Sequence, residues 1–126
     1  MTLNTLIMQA NDTRAKNISE IINASVEYMP ANITTVYTLL EAKDLIREDA
    51  VKDRVDKFDI VVAGVGDDGI DLVSFIVDVG SPAACILVSF DENDKVSTNN
   101  KISLSGMVSI VIHNIMNNGL KGVQWL

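Results

Sequence analysis

The feature that most constrains the fold is the segment 58–71, FDIVVAGVGDDGID, in which a short apolar run ends in an acidic turn containing glycine. Five of the seven residues from Ile60 to Gly66 are Val, Ile or Ala. This composition is typical of a strand that is buried on both faces and belongs to a parallel sheet. Because ligands gather at the carboxyl ends of parallel strands, the turn after this strand is a candidate site. Gly64, at the tip of the strand, brings no side chain to it.

The composition predicts one α/β domain. The chain has 126 residues, enough for a single buried core. Its residues are 48% hydrophobic but only 5% aromatic, which favours the aliphatic core of a parallel sheet flanked by helices. The net charge of −7 disfavours nucleic acid and anionic membranes as partners.

Cysteine usage and the amino-terminal residues predict a cytoplasmic protein. Cys85 is the only cysteine, which excludes an internal disulfide and fits a reducing compartment. It lies in the apolar run ACILV, so we interpret it as a buried hydrophobic residue. The first twelve residues lack the basic region and the apolar length of a signal peptide.

Hydrophobic periodicity predicts alternating strands and helices over the first two thirds of the chain. The expected strands cover residues 3–10, 33–39, 60–65 and 84–90, and the expected helices cover residues 13–29, 41–57 and 71–79. The polar segment 91–101 is predicted to be a surface loop. This alternation implies right-handed crossovers and a three-layer α/β sandwich with a mainly parallel sheet of flavodoxin-like type.

The last quarter of the chain allows two interpretations. Apolar residues at helical spacing favour a helix over residues 103–117, capped by Asn118 and Gly119, with a fifth strand at residues 122–126. The alternative takes residues 108–113 as a strand because Val and Ile dominate them. We favour the helix because the apolar positions cover more turns than a strand needs.

The segment FDIVVAGVGDDGIDLVSF resembles the receiver domain of two-component response regulators, whose third strand and turn are typically similar to FDLVLLDIMMPGMDG. Residues 69–71 fall on the Gly-Met-Asp of that pattern, and the element order over roughly residues 3–90 matches. The resemblance implies a receiver-like fold whose third strand ends in a phosphate-accepting aspartate. That register falls on Gly64, a degenerate phosphoacceptor position.

Other receiver positions are also changed. The acidic residues that hold Mg²⁺ after the first strand fall on Gln9 and Ala10, and the family's lysine after the fifth strand has no clear counterpart. Ser89 matches the family's hydroxyl residue after the fourth strand. The missing fifth helix of that family implies open apolar surface near Val123, Trp125 and Leu126. Either a second copy covers this surface as a homodimer, or Trp125 packs against the domain's own helix.

The segment from SLSGMV to NNGLKGVQWL is similar to the end of the mannose-type IIA domains of the sugar phosphotransferase system. That family pairs as dimers through a terminal strand and phosphorylates a histidine after its first strand. Here the first strand leads into Gln9 and Ala10 without a histidine. The only histidine, His113, lies in an apolar sequence and is interpreted as structural.

These features predict a phosphorylation-independent pseudo-receiver, a non-enzymatic signalling or scaffold domain that acts by binding another protein. No cofactor or metal ion is expected. The alternative is a small α/β enzyme or ligand-binding domain that uses the carboxyl ends of the strands. The candidate binding residues are the polar and glycine residues that follow the predicted strands: Asn11, Asp12, Gly66, Asp67, Asp68 and Ser89.

Overall fold

The computed structural model describes residues 1–26 and 28–125, and the side chains of residues 118–125 lie outside that description. Strands and helices alternate along the chain. In order they are β1 (Leu3–Met8), α1 (Asp12–Ser25), β2 (Ala31–Val36), α2 (Leu39–Asp49), a short 3₁₀ turn (Arg54–Asp56), β3 (Ile60–Gly64), α3 (Gly69–Asp78), β4 (Ala84–Val88) and α4 (Thr98–Trp125).

The sheet is parallel, and its four strands have the order β2-β1-β3-β4. This arrangement is consistent with a flavodoxin-like fold. Every residue of the central strands β1 and β3 is buried, which confirms the parallel, doubly covered strand predicted from the run at residues 60–65. Helices α1 and α4 pack on one face, and α2 and α3 pack on the other.

Successive residues of β1 supply the two halves of the core because strand side chains alternate between the faces of a sheet. Leu3 and Ile7 contribute to the cluster beneath α1 and α4. Leu6 and Met8 contribute to the cluster beneath α2 and α3. The predicted three-layer α/β architecture is therefore confirmed.

Helix α2 is shorter than the predicted helix over residues 41–57. It ends at Asp49, whose side chain is buried with 2% of its surface exposed. Both carboxylate oxygens of Asp49 lie 3.1 Å from the backbone nitrogen of Phe58, which donates to them. This contact turns the chain back toward β3, so the charged residues at 50–57 form a turn instead of more helix.

The predicted five-stranded sheet is wrong, because the described residues form four strands. Helix α4 is 28 residues long, about 42 Å at 1.5 Å per residue, and it continues through Asn118 and Gly119 to Trp125. No proline interrupts this stretch, and a glycine inside a helix costs only about 1 kcal/mol. The helical interpretation of residues 108–113 is confirmed, and β4 is an edge strand.

Among the described residues, no helix combines the length and the apolar character needed to cross a membrane.

Candidate functional site

A buried glutamine joins the loops that follow β1 and β3 at the carboxyl edge of the sheet. Gln9 is 1% exposed, and its Nε2 donates a hydrogen bond of 2.9 Å to Oδ2 of Asp67. Its Oε1 accepts a bond of 3.0 Å from the backbone nitrogen of Asn11. Asn11 in turn caps α1, since its Oδ1 accepts from the backbone nitrogen of Arg14 at 3.1 Å. The amide of Gln9 therefore fixes the position of the Asp67 carboxylate.

The Asp67 carboxylate occupies the space that a side chain at Gly64 would need. A β-carbon on Gly64 would clash with Oδ2 of Asp67, and it would lie 3.1 Å from Nε2 of Gln9 and 3.2 Å from a ring carbon of Phe90. The turn that folds Asp67 back is closed by a bond of 3.2 Å from its backbone nitrogen to the carbonyl oxygen of Gly64. Asp68 then adopts a left-handed conformation with φ of 59°. The missing side chain at Gly64 thus has a structural cause.

Gly69 brings the start of α3 directly against the end of β3. A β-carbon there would clash with the carbonyl oxygen of Gly64 and would lie 2.7 Å from Cδ2 of Leu87. Glycine at this position lets α3 begin immediately after the short turn.

Arg14 supplies the positive charge at this edge. Its Nε donates a hydrogen bond of 2.8 Å to Oδ1 of Asp94, and its Nη1 lies 4.0 Å from Oδ2 of Asp67. The guanidinium also lies over the ring of Phe90, 4.6 Å from the centroid. One cation therefore faces two carboxylates and joins α1 to the segments after β3 and β4.

Hydrogen bonds hold the predicted loop over residues 91–101 in place. Phe90 and Val96 form an antiparallel bridge, and Asn17 on α1 accepts from the backbone nitrogen of Val96 at 2.8 Å. At the start of the loop, Asp91 accepts from two backbone nitrogens, at 2.8 and 3.1 Å. The loop ends at Thr98, where α4 begins, so the free loop is shorter than predicted.

The structure brings together only some of the residues predicted from sequence. Asn11 and Asp67 are linked through Gln9. Asp12 is exposed in the first turn of α1, and Asp68 is exposed at the start of α3. A β-carbon on Gly66 would meet no atom within 4 Å, so this glycine faces open space.

Ser89 belongs to a separate hydroxyl cluster at the start of α4. Its Oγ lies 3.0 Å from Oγ of Ser97 and donates to Oδ1 of Asn100 at 2.7 Å. The proposed interface residues Val123 and Trp125 have side chains outside the description, and Leu126 lies outside the described residues.

Arg14, Phe90 and Asp94 also lie at this site but were not predicted from sequence. Arg14 and Asp94 are 80 positions apart, so no local pattern could pair them. The position of Arg14 in the sequence does indicate a place near this site. Arg14 lies three residues after the helix cap Asn11 and therefore in the turn of α1 nearest the strand ends.

The described part of the chain contains no group of three His, Cys, Asp or Glu side chains placed to hold a metal ion. A concavity with a volume of about 630 Å³ lies at the opposite end of the sheet. Its lining is mainly polar: Thr2, Asn4, Asn32, Val51, Lys52, Asp53 and Asp56.

Two groups away from the carboxyl edge have shifted pKa values. Burial raises the pKa of Asp59, and a hydrogen bond from the backbone nitrogen of Asn4 partly offsets that effect. Burial also raises the pKa of the Cys85 thiol. Cys85 is therefore a poor nucleophile at neutral pH, as its apolar surroundings predicted.

Comparison with protein-family models, curated proteins and solved structures found no match to this chain.

Proposed function

We propose that this domain is a phosphorylation-independent pseudo-receiver that acts by binding another protein. The observation that carries the proposal is the Asp67 carboxylate, which fills the space beside Gly64 at the end of β3. The receiver resemblance places the phosphate-accepting side chain at that glycine. Here the carboxylate comes from three residues further along the chain and is held by Gln9.

The bonding of Asp67 argues against phosphoryl transfer. A nucleophilic carboxylate needs a free oxygen facing the phosphorus atom, and Mg²⁺ normally bridges the transferring group. The oxygen of Asp67 that lies beside Gly64, Oδ2, is not free, because it accepts from Nε2 of Gln9 at 2.9 Å and faces the Arg14 guanidinium at 4.0 Å. The cation at this edge is thus a protein side chain, which Asp67 shares with Asp94.

A fixed carboxyl edge suits a domain that presents one surface constantly. Arg14 ties α1 to Asp94, and Asn17 ties α1 to Val96. These contacts hold the segment after β4 against α1. The alternative of a ligand-binding site at the strand ends has less support, because Asp12 and Asp68 are exposed and Ser89 belongs to a separate cluster.

Incubation with acetyl phosphate and Mg²⁺, followed by intact mass spectrometry, tests the proposal. We expect no mass increase under conditions that phosphorylate an active receiver domain treated in parallel. A stable phosphoryl adduct would contradict the proposal, and loss of that adduct in Asp67→Asn would identify Asp67 as the acceptor.

A thermal-shift screen with nucleotides, sugar phosphates and divalent ions tests the ligand-binding alternative. We expect no rise in melting temperature. A rise that is lost in Asp67→Asn would favour the alternative.

A further inference from the structure

Apolar side chains line the free edge of the sheet at β4, on the strand itself and on the helices at either side. We call these residues the edge strip. It consists of Ile70, Val73 and Val77 on α3, Cys85 and Leu87 on β4, and Met107 and Ile110 on α4.

The part of the edge strip on α3 lies on the flank facing away from α2. Two cations of α2 lie over the ring of Phe75, at 5.4 and 5.0 Å from its centroid, and mark the flank that faces α2. Ile70, Val73 and Val77 are spaced along the opposite flank. Because α3 contacts β3 and β4, this flank borders the free edge. Ile70 is 60% exposed and Val77 is 71% exposed.

The part on α4 lies on the flank facing away from α1. Oγ of Ser105 pairs with Oγ of Ser25 on α1 at 3.1 Å, which fixes the flank that faces α1. Met107 and Ile110 lie on the other flank at helical spacing. Ile110 is 62% exposed, and Met107 is half-buried.

Strand β4 presents free backbone groups between these two helices. The backbone nitrogen of Ala84 donates to the carbonyl oxygen of Asp59 at 2.9 Å, on the β3 side. Because pairing alternates along an edge strand, the N–H and C=O groups of Cys85 and Leu87 point away from the sheet. Natural edge strands are commonly protected by charge, proline or a bulge, and the sequence ACILV of β4 contains neither charge nor proline.

The other edge of the sheet is different in character. Strand β2 has the sequence ANITTV, and polar side chains occupy three of its six positions. The apolar edge is therefore a feature of β4 and not of both ends of the sheet.

We propose that a second copy of this chain covers the edge strip, with the two β4 strands antiparallel across a two-fold axis. The outward donors and acceptors of Cys85 and Leu87 are self-complementary in that arrangement. The edge strip contains no charged side chain, although each copy carries a net charge of −7. Contacts between two edge strips therefore join apolar side chains, and the strip itself offers no charge to attract a partner of opposite charge. The proposal goes beyond the proposed function, because it concerns pairing of the chain with itself and does not identify the other protein that the domain binds.

The exposed area indicates a weak, reversible dimer. A fully exposed aliphatic side chain offers about 60–120 Å² of apolar surface, so the edge strip offers roughly 300 Å² per copy. A standard stable interface buries about 800 Å² per partner. The paired backbone and neighbouring polar groups add area, but the total buried area stays below that of a standard stable interface. We therefore expect a dissociation constant in the micromolar range or weaker.

Sedimentation velocity of the full chain, from low micromolar to submillimolar concentration, tests this dimer. We expect reversible dimerisation, and we expect Val77→Lys to weaken it at least about tenfold, or about 1.4 kcal/mol, because it places two lysines at the contact. The matched control is Leu40→Lys, which adds the same charge at an apolar residue of α2 that is 67% exposed and lies outside the edge strip. This control should dimerise like the unmodified chain.

Amide hydrogen exchange then tests the strand pairing itself. The amides of Cys85 and Leu87 should gain protection as concentration rises, and Val77→Lys should remove that gain. The proposal is overturned if the chain stays monomeric, if these two amides stay unprotected in a dimer, or if Leu40→Lys weakens the dimer equally. Such a failure leaves the acetyl phosphate result unchanged, since that experiment measures chemistry at Asp67.

Discussion

Replacing Gly64 by alanine measures how firmly Asp67 occupies the end of β3. The new methyl group would clash with Oδ2 of Asp67, so the carboxylate must move away from Gln9. Losing a hydrogen bond to a charged group costs about 1.5–3 kcal/mol. Alanine returns about 0.4–1 kcal/mol by restricting the unfolded chain. We therefore expect Gly64→Ala to lower the free energy of unfolding by about 1.5 kcal/mol.

A double-mutant cycle with Asp67→Ala separates this effect from any other defect at Gly64. Without the carboxylate, the worst clash is removed and only the tight contacts with Gln9 and Phe90 remain, so Gly64→Ala should become nearly neutral. The coupling energy between the two positions should then be about 1.5 kcal/mol.

Urea unfolding at equilibrium provides the measurement. With a slope of about 1–3 kcal/mol per M, the single variant Gly64→Ala should shift the midpoint by about 0.5–1.5 M. Gly66→Ala is the matched control in the same turn, because its β-carbon meets no atom within 4 Å. An equal cost of Gly64→Ala with and without Asp67 would refute the reasoning.

Substitutions at three further positions test other contacts. Asp49→Ala leaves the buried backbone nitrogen of Phe58 without its acceptor, so urea unfolding should show a loss of about 1–3 kcal/mol; Asp49→Asn, which keeps an acceptor, should lose less. Burial raises the pKa of Asp59, so folding favours the protonated form of this carboxyl group. The stability that results is complete below the unfolded pKa of about 3.9 and is lost as pH rises through the folded pKa. Asp59→Asn should therefore gain stability relative to the unmodified chain as pH rises over that window, and a difference independent of pH would contradict this. Arg14→Lys should cost about 0.5–1 kcal/mol, because Arg14 and Asp94 are partly exposed; unfolding at high salt should show a smaller cost, and an unchanged cost would exclude the ion pair as its source.

The sequence predicted the fold well where structure depends on neighbouring residues. Strand β3, Ile60–Gly64, is buried on both faces as the apolar run predicted, although Val65 at the end of that run is exposed. The length of α4 was not predicted, because Asn118 and Gly119 resemble a helix end although a single glycine costs a helix only about 1 kcal/mol.

The site was only partly predictable from sequence. The absence of a side chain at Gly64 was visible, but its cause depends on a turn that folds Asp67 back over that glycine. The pair formed by Arg14 and Asp94 joins residues 80 positions apart. It exists only because α1 and the segment after β4 meet at one edge of the sheet.

The central claim is that the Asp67 carboxylate permanently occupies the space beside Gly64. The most direct test of this claim is the NMR signal of the Gln9 side-chain amide, which donates to Asp67. The signal is recorded while beryllofluoride and Mg²⁺ are added. We predict that the Gln9 amide resonances stay unchanged, because Asp67 remains bonded to Gln9 and takes no phosphoryl analogue. A saturable shift of these resonances that disappears in Asp67→Asn would contradict the account.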